Sequence, residues 1–151
     1  MRLVVQRVRR AAVTVDGREI ASIGPGAVIL LGVARGDTTF DAAFLARKVA
    51  QLRIFDDRDG RLNASIHDAG GEFLVVSQFT LYGDCRKGTR PSYVEAAPAD
   101  EAAALYREFI GRLRELGYVV REGEFRKRML VEIHNDGPVT LILESRGRTR
   151  P

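Results

Sequence analysis

With 151 residues, 45% hydrophobic and 29% charged, the chain has the size and balance of one soluble globular domain. At this length roughly 70% of the unfolded surface is buried on folding, enough for a core without disulfides or a structural metal. No apolar run approaches the roughly 20 residues that span a bilayer. The first ten residues lack the apolar centre of a secretory leader, and a single cysteine, Cys85, excludes a disulfide framework, so a cytoplasmic protein is expected. The net charge of +4 gathers at the ends, in Arg2, Arg7, Arg9 and Arg10 and in Arg146, Arg148 and Arg150. Two further basic knots, Arg86-Lys87-Gly88-Thr89-Arg90 and Arg126-Lys127-Arg128, lie inside the chain. Such clusters can meet phosphates, but on composition alone a solvated arginine-rich surface is the plainer reading.

In chain order, residues 3–8 and 12–15 are rich in β-branched side chains and read as two strands. Asp16-Gly17 is a hairpin turn signal, followed by a strand to Ile23. After Gly24-Pro25-Gly26, the wholly apolar run 27–33 reads as a strand buried on both faces. Asp37 is the expected cap of a helix over 38–52, with Phe40, Phe44, Leu45, Val49 and Leu52 on its inner face. A strand is expected over 73–81 and a helix over 100–116, the latter with Ala102, Leu105, Phe109, Leu113 and Leu116 inward and Gly117 closing it. Two strands, 129–134 and 139–143, joined by the turn Asn135-Asp136-Gly137-Pro138, complete the chain. This order argues for an α+β fold, two helices covering a largely antiparallel sheet. One domain is expected over 1–145, followed by a basic tail, 146–151, disordered without RNA.

The familiar catalytic constellations are absent. His67, His134 and Cys85 are too few and too scattered for zinc. Asp56-Asp57-Arg58-Asp59-Gly60 lacks the terminal glutamate of a calcium loop and reads as a polar turn. Gly24-Pro25-Gly26 lacks the lysine of a phosphate loop, and neither Ser65 nor Ser77 sits in a nucleophile elbow. Cys85, flanked by Arg86 and Lys87, is either a nucleophile beside cations or, more commonly, a small packed residue. Two segments remain. Ser77-Gln78-Phe79-Thr80-Leu81 breaks an apolar strand with polar groups, and strand alternation sets Ser77, Phe79 and Leu81 against Gln78 and Thr80. It is either an ordinary strand end or a wall that offers a hydroxyl, an amide and backbone N–H groups to a ligand carbonyl. Asn135-Asp136-Gly137-Pro138-Val139-Thr140 is a turn by composition, with a Gly-Pro bond that admits a cis peptide at low cost.

At these two segments the chain resembles the D-aminoacyl-tRNA deacylase family, and the similarity continues through Gln6-Arg7-Val8, Leu52-Arg53-Ile54-Phe55, Arg86-Lys87-Gly88 and Arg90-Pro91-Ser92. The resemblance implies a curled, barrel-like sheet in a homodimer, with active sites at the subunit interface. It implies hydrolysis of the ester of D-aminoacyl-tRNA, with neither metal nor cofactor, and of glycyl-tRNA mischarged on tRNA such as tRNA(Ala). Ser77, Gln78, Phe79 and Thr80 are assigned to the catalytic wall, whose backbone amides polarise the ester while the terminal 2′-OH assists water. Gly137 and Pro138, as a cis pair reaching into the partner's pocket, are implied to exclude L side chains by their backbone carbonyls, with Arg7 bracing them. Phe125 and Met129 are implied to flank the terminal adenine. Where the family commonly has Gly-Ala after the phenylalanine, this chain has Arg126-Lys127-Arg128, and Cys85 stands where threonine is common. The alternative from a different class is a catalytically inactive tRNA- or RNA-binding dimer served by the basic knot and tail. A bland dimeric scaffold is a third reading.

Overall fold

The structure is a computed structural model that describes residues 1–145; the basic tail, 146–151, and the disorder expected for it lie outside the described residues. In chain order the elements are β1 (Arg2–Val15), β2 (Arg18–Ile23), β3 (Gly26–Gly32), α1 (Thr39–Ala50), β4 (Phe55–Asp56), β5 (Leu62–Ala64) and β6 (Glu72–Ser77). A 3-10 turn (Phe79–Tyr82), α2 (Ala99–Glu115), β7 (Val120–Glu122) and β8 (Leu130–Glu144) follow.

The first strand is the spine of the sheet. One edge of β1 pairs antiparallel with β8 from Arg2↔Glu144 to Thr14↔Leu130; the other pairs with β3 and then with β2. The two expected strands are therefore one. Arg9 and Arg10 do not break it, because both are exposed and Arg10 finds carboxylates on its neighbours, Glu19 of β2 and Glu132 of β8. Beyond β3 the sheet continues in parallel through β6 to β7, and β2 curls round to touch β6 and β7. The sheet is thus nearly closed and largely antiparallel, with parallel pairing confined to β3–β6–β7.

Strand alternation feeds two cores. Ala27, Ile29 and Leu31 of β3 and Phe73 and Val75 of β6 face α1 and α2, whose Leu45, Val49, Phe109 and Leu113 meet them. The opposite face sends Val28, Leu74 and Val76 into the curl, against Val13, Val15 and Ile23. Both faces of β3 are covered, as its apolar run requires.

Several expectations need correction. The cap of α1 is Thr38, not Asp37: the Thr38 side chain takes the Asp41 N–H while Asp41 accepts from the Thr38 backbone N–H at 2.8 Å. Asp37 is occupied by the Met1 ammonium, 2.7 Å away, and by the Ala34 N–H. The buried face of α1 is Ala42, Leu45, Ala46, Val49 and Ala50; Phe40 is exposed. In α2, Tyr106 and Ile110 join Phe109 and Leu113 inside, whereas Leu116 is exposed. Gly117 does end the helix: its N–H reaches Arg114 O, and that of Tyr118 reaches back to Leu113 O.

The final two expected strands are also one, β8. Asn135-Asp136-Gly137-Pro138 does not reverse the chain; it bulges out of a continuing strand. Between the pairs Gln6↔Thr140 and Val8↔Asn135, β1 advances by two residues and β8 by five. The Gly137–Pro138 peptide is cis.

A candidate active-site cleft

The strand expected over 73–81 stops at Ser77. The Gln78 N–H still bonds Leu31 O at 2.7 Å, but the next four residues wind into the 3-10 turn, closed by Gly83 N–H to Thr80 O. The alternation expected for Ser77 to Leu81 is therefore lost. As the first residues of a helical turn, Phe79 and Thr80 have N–H groups without a partner inside the element. Phe79 stands 58% exposed, edge-on to Tyr93 at 5.0 Å. The Thr80 hydroxyl is held by the Gln78 side-chain amide.

Ser77, Gln78 and Phe79 form one wall of a cleft of about 600 Å³. Leu31, Val33, Ala97 and Ala102 form an apolar floor, and Phe125, Met129 and Val131 the opposite side. The cleft opens where the two cores meet: Leu31, Val33 and Tyr106 belong to the helix-side core, while Val76, Met129 and Val131 belong to the core inside the curl. Its size and lining are those of a small-molecule site.

Two residues not singled out by sequence reasoning position the far wall. Tyr106 donates its hydroxyl to Val75 O at 2.8 Å, and its ring meets Phe125 at 5.7 Å. Burial, with Glu122 adding to it, pushes the Tyr106 hydroxyl well above the usual tyrosine range, so it stays protonated as a donor. Gly123 bonds Val75 O through its N–H, and a Cβ there would lie 2.7 Å from the Met129 sulfur. Only a glycine lets Met129 lie against this backbone. Tyr106 was legible as the helical neighbour of Ala102 and Phe109; Gly123 left no pattern to read.

The remaining expected residues gather elsewhere. Arg7 is buried, and its guanidinium donates to Asp136 O at 3.2 Å and Ile54 O at 3.0 Å, with the Asp136 and Asp56 carboxylates at 3.3 and 3.2 Å. Asn135 Nδ2 bridges Arg7 O and Val139 O across the base of the bulge. Gly137 has φ +115°. Arg7, Gly137 and Pro138 do not line the cleft of their own chain, and neither does Thr80. Among the described residues, no group of three His, Cys, Asp or Glu side chains is placed to hold a metal ion. Cys85 is exposed rather than packed.

A family profile described as D-Tyr-tRNA(Tyr) deacylase matches residues 4–144. The chain belongs to that family. A protein of Heliobacterium modesticaldum named D-aminoacyl-tRNA deacylase is 56% identical over 97% of this chain and 98% of its own. One of the same name from Dehalococcoides mccartyi is 55% identical over 100% of this chain and 99% of its own. Among solved structures, one titled c-Myc DNA Unwinding Element Binding Protein superposes with a TM-score of 0.91 at 42% identity, over 96% of this chain and 99% of that one. Another, of a probable eukaryotic D-amino acid tRNA deacylase, has a TM-score of 0.75 at 20% identity over 95% and 98% of the two chains and shows the shared fold. Family membership makes this chain a hydrolase, a deacylase by class, and no helix of its described residues is long and apolar enough to cross a membrane.

Proposed function

We propose that this protein, a single domain over 1–145, hydrolyses the ester that joins a D-amino acid to tRNA, releasing the free D-amino acid and tRNA in the cytoplasm. The observation that carries this reading is the meeting of the Ser77–Phe79 wall with Phe125 and Met129 across one apolar cleft. A flat base fits between the aromatic and thioether side chains, where stacking contributes about 1–3 kcal/mol. The ester then lies beside the 3-10 turn, whose Phe79 and Thr80 N–H groups polarise the carbonyl as charge develops on it. No side-chain nucleophile is used. Water attacks with help from the substrate's own 2′-OH, and the Thr80 hydroxyl remains tied to Gln78.

Chirality is set by the bulge of a second copy. Gly137 and Pro138 enter the neighbouring cleft and leave no room for an L side chain, so D residues are accepted without recognition of their side chains. Glycine has nothing to exclude, so glycyl-tRNA mischarged on tRNA such as tRNA(Ala) is cleaved too. Arg7 holds the bulge from beneath. A homodimer accounts for two features together: the bulge is absent from its own cleft, and β8 presents a 15-residue edge carrying exposed Leu130, Leu141 and Ile142.

Paired hydrolysis of D-tyrosyl-tRNA and L-tyrosyl-tRNA by chelator-treated protein tests the proposal. Release from the D ester alone is expected. Release from both removes the rejecting role of Gly137 and Pro138; release from neither, with equal binding of charged and uncharged tRNA, makes the protein an RNA-binding dimer. Thr80→Ala should keep most of the rate, and its complete loss with an acyl group trapped on Thr80 in the wild type overturns the water mechanism.

A further inference from the structure

The cleft has a charge asymmetry that ester chemistry does not use. Its lining is apolar apart from Ser77, Gln78 and the Tyr106 hydroxyl, and among the described residues its only charged lining side chains are two cations, Arg126 and Lys127. Arg126 takes φ +67°, a left-handed conformation unusual for a residue with a Cβ. The side chains are 68% and 53% exposed, and their carboxylate contacts are long: 3.6 Å from Arg126 to Asp100 and 3.8 Å from Lys127 to Glu124. Exposed pairs of this kind hold their partners weakly. Both cations can therefore turn to an anion that arrives at the mouth.

A ligand that places a neutral flat group on the apolar floor and carries negative charge outward matches this arrangement. We propose that Arg126 and Lys127 grip the phosphodiester groups next to the terminal nucleoside of the tRNA, with Asp100 as the carboxylate that phosphate displaces from Arg126. The inference rests on the deacylase reading and adds to it a clamp on the single-stranded end. A cation at each of two successive phosphates fixes how far the strand enters, and so where the ester lies along the Ser77–Phe79 wall. The left-handed backbone at Arg126 is the conformational cost of aiming a guanidinium across the mouth.

The test compares wild type with Arg126→Gly, Lys127→Ala and the double variant on D-tyrosyl-tRNA across a range of salt. Each phosphate contact on a single strand contributes about 0.7 to the slope of log affinity against log salt. The double variant should therefore lose about 1.4 from the slope of kcat/KM, with the loss carried by KM. On D-tyrosyl-adenosine, which has no phosphate, the loss should be much smaller. Asp100→Asn should lower KM on tRNA, and Arg126→Gly should raise Tm while it raises KM, a pairing that a merely structural arginine does not give. Wild-type salt slope and KM in the double variant overturn the clamp and leave the deacylase reading intact. If wild type cleaves neither substrate, the deacylase reading fails instead, and binding of uncharged tRNA decides the clamp: unchanged affinity and salt slope in the double variant overturn it.

Discussion

Gly137 sits where both backbone and space select against any other residue. Its φ of +115° is outside the range that L side chains adopt comfortably, and a Cβ would lie 3.0 Å from both the Arg7 guanidinium and the Val139 side chain. Gly137→Ala should therefore cost about 1–3 kcal/mol in urea unfolding, and lower the ratio of D- to L-tyrosyl-tRNA hydrolysis as the bulge shifts. A stability loss without any change in that ratio would confine Gly137 to a structural role. Gly123 makes the complementary case at the cleft. A methyl there meets the Met129 sulfur at 2.7 Å, so Gly123→Ala should push the thioether into the space given to the base and raise KM for tRNA. An unchanged KM would mean that the base does not lie against Met129. Phe125 and Met129 are implied by the family resemblance and Tyr106 by its place on a helical face, but Gly123 could not be named from the chain. A glycine in a short loop carries no periodicity, and the packing that demands it joins segments far apart in sequence.

Among elements, what sequence conveys well is the burial pattern of long runs. The apolar run that became β3, the helix that became α2 and the Asp16-Gly17 turn, with φ +48° and +76°, are all found where they were expected. It conveys interruption poorly. Asn-Asp-Gly-Pro has every mark of a chain reversal, yet β8 runs straight through it because β1 offers pairing partners on both sides of the bulge. The 3-10 turn was hidden for the opposite reason: its residues suit a strand, but the ladder ends at Ser77. At α1 two acceptors compete, and a tertiary partner for Asp37, the Met1 ammonium, leaves the cap to Thr38. Asp41 then carries a pH dependence. Burial raises its carboxyl, but the Thr38 N–H and the hydroxyls of Ser145 and Thr38 outweigh that and hold it below its ordinary 3.8. Because the folded value is the lower one, this contribution is complete above the unfolded value and disappears as pH falls through the folded one. Asp41→Asn should cost about 1 kcal/mol at pH 7, and less at the acid end of a denaturation series. A penalty independent of pH would assign the effect to packing.

At the scale of the whole molecule, β1 and β8 run side by side and bring the two ends of the described chain together. The Met1 ammonium, fully buried, donates to Ser145 Oγ at 2.7 Å and pairs with Asp37, itself 3% exposed, at the start of α1. One charge thus ties the first strand, the last strand and a helix. Asp37→Asn removes the carboxylate 2.7 Å from that ammonium and leaves it only the Asp41 charge beyond, so it should cost about 3 kcal/mol in denaturant unfolding; a loss under 1 kcal/mol would mean that the ammonium moves out to water or is held by Asp41. The other edge of β8 has no strand beside it among the described residues. Ile142, 68% exposed, lies on this strand together with Leu130 and Leu141. In an isolated subunit, a glutamate at such an exposed position changes stability by no more than about 0.5 kcal/mol. In a dimer that buries the strand, it leaves charges without water or a partner. Ile142→Glu should therefore halve the mass measured by light scattering while the fold persists by circular dichroism. On the proposed homodimer, the preference for D- over L-tyrosyl-tRNA should fall with it, since each cleft would then lack the bulge that excludes L side chains. A monomer with the full rate and the full preference for the D ester would place chiral selection within one chain, and with it the task now given to Gly137 and Pro138.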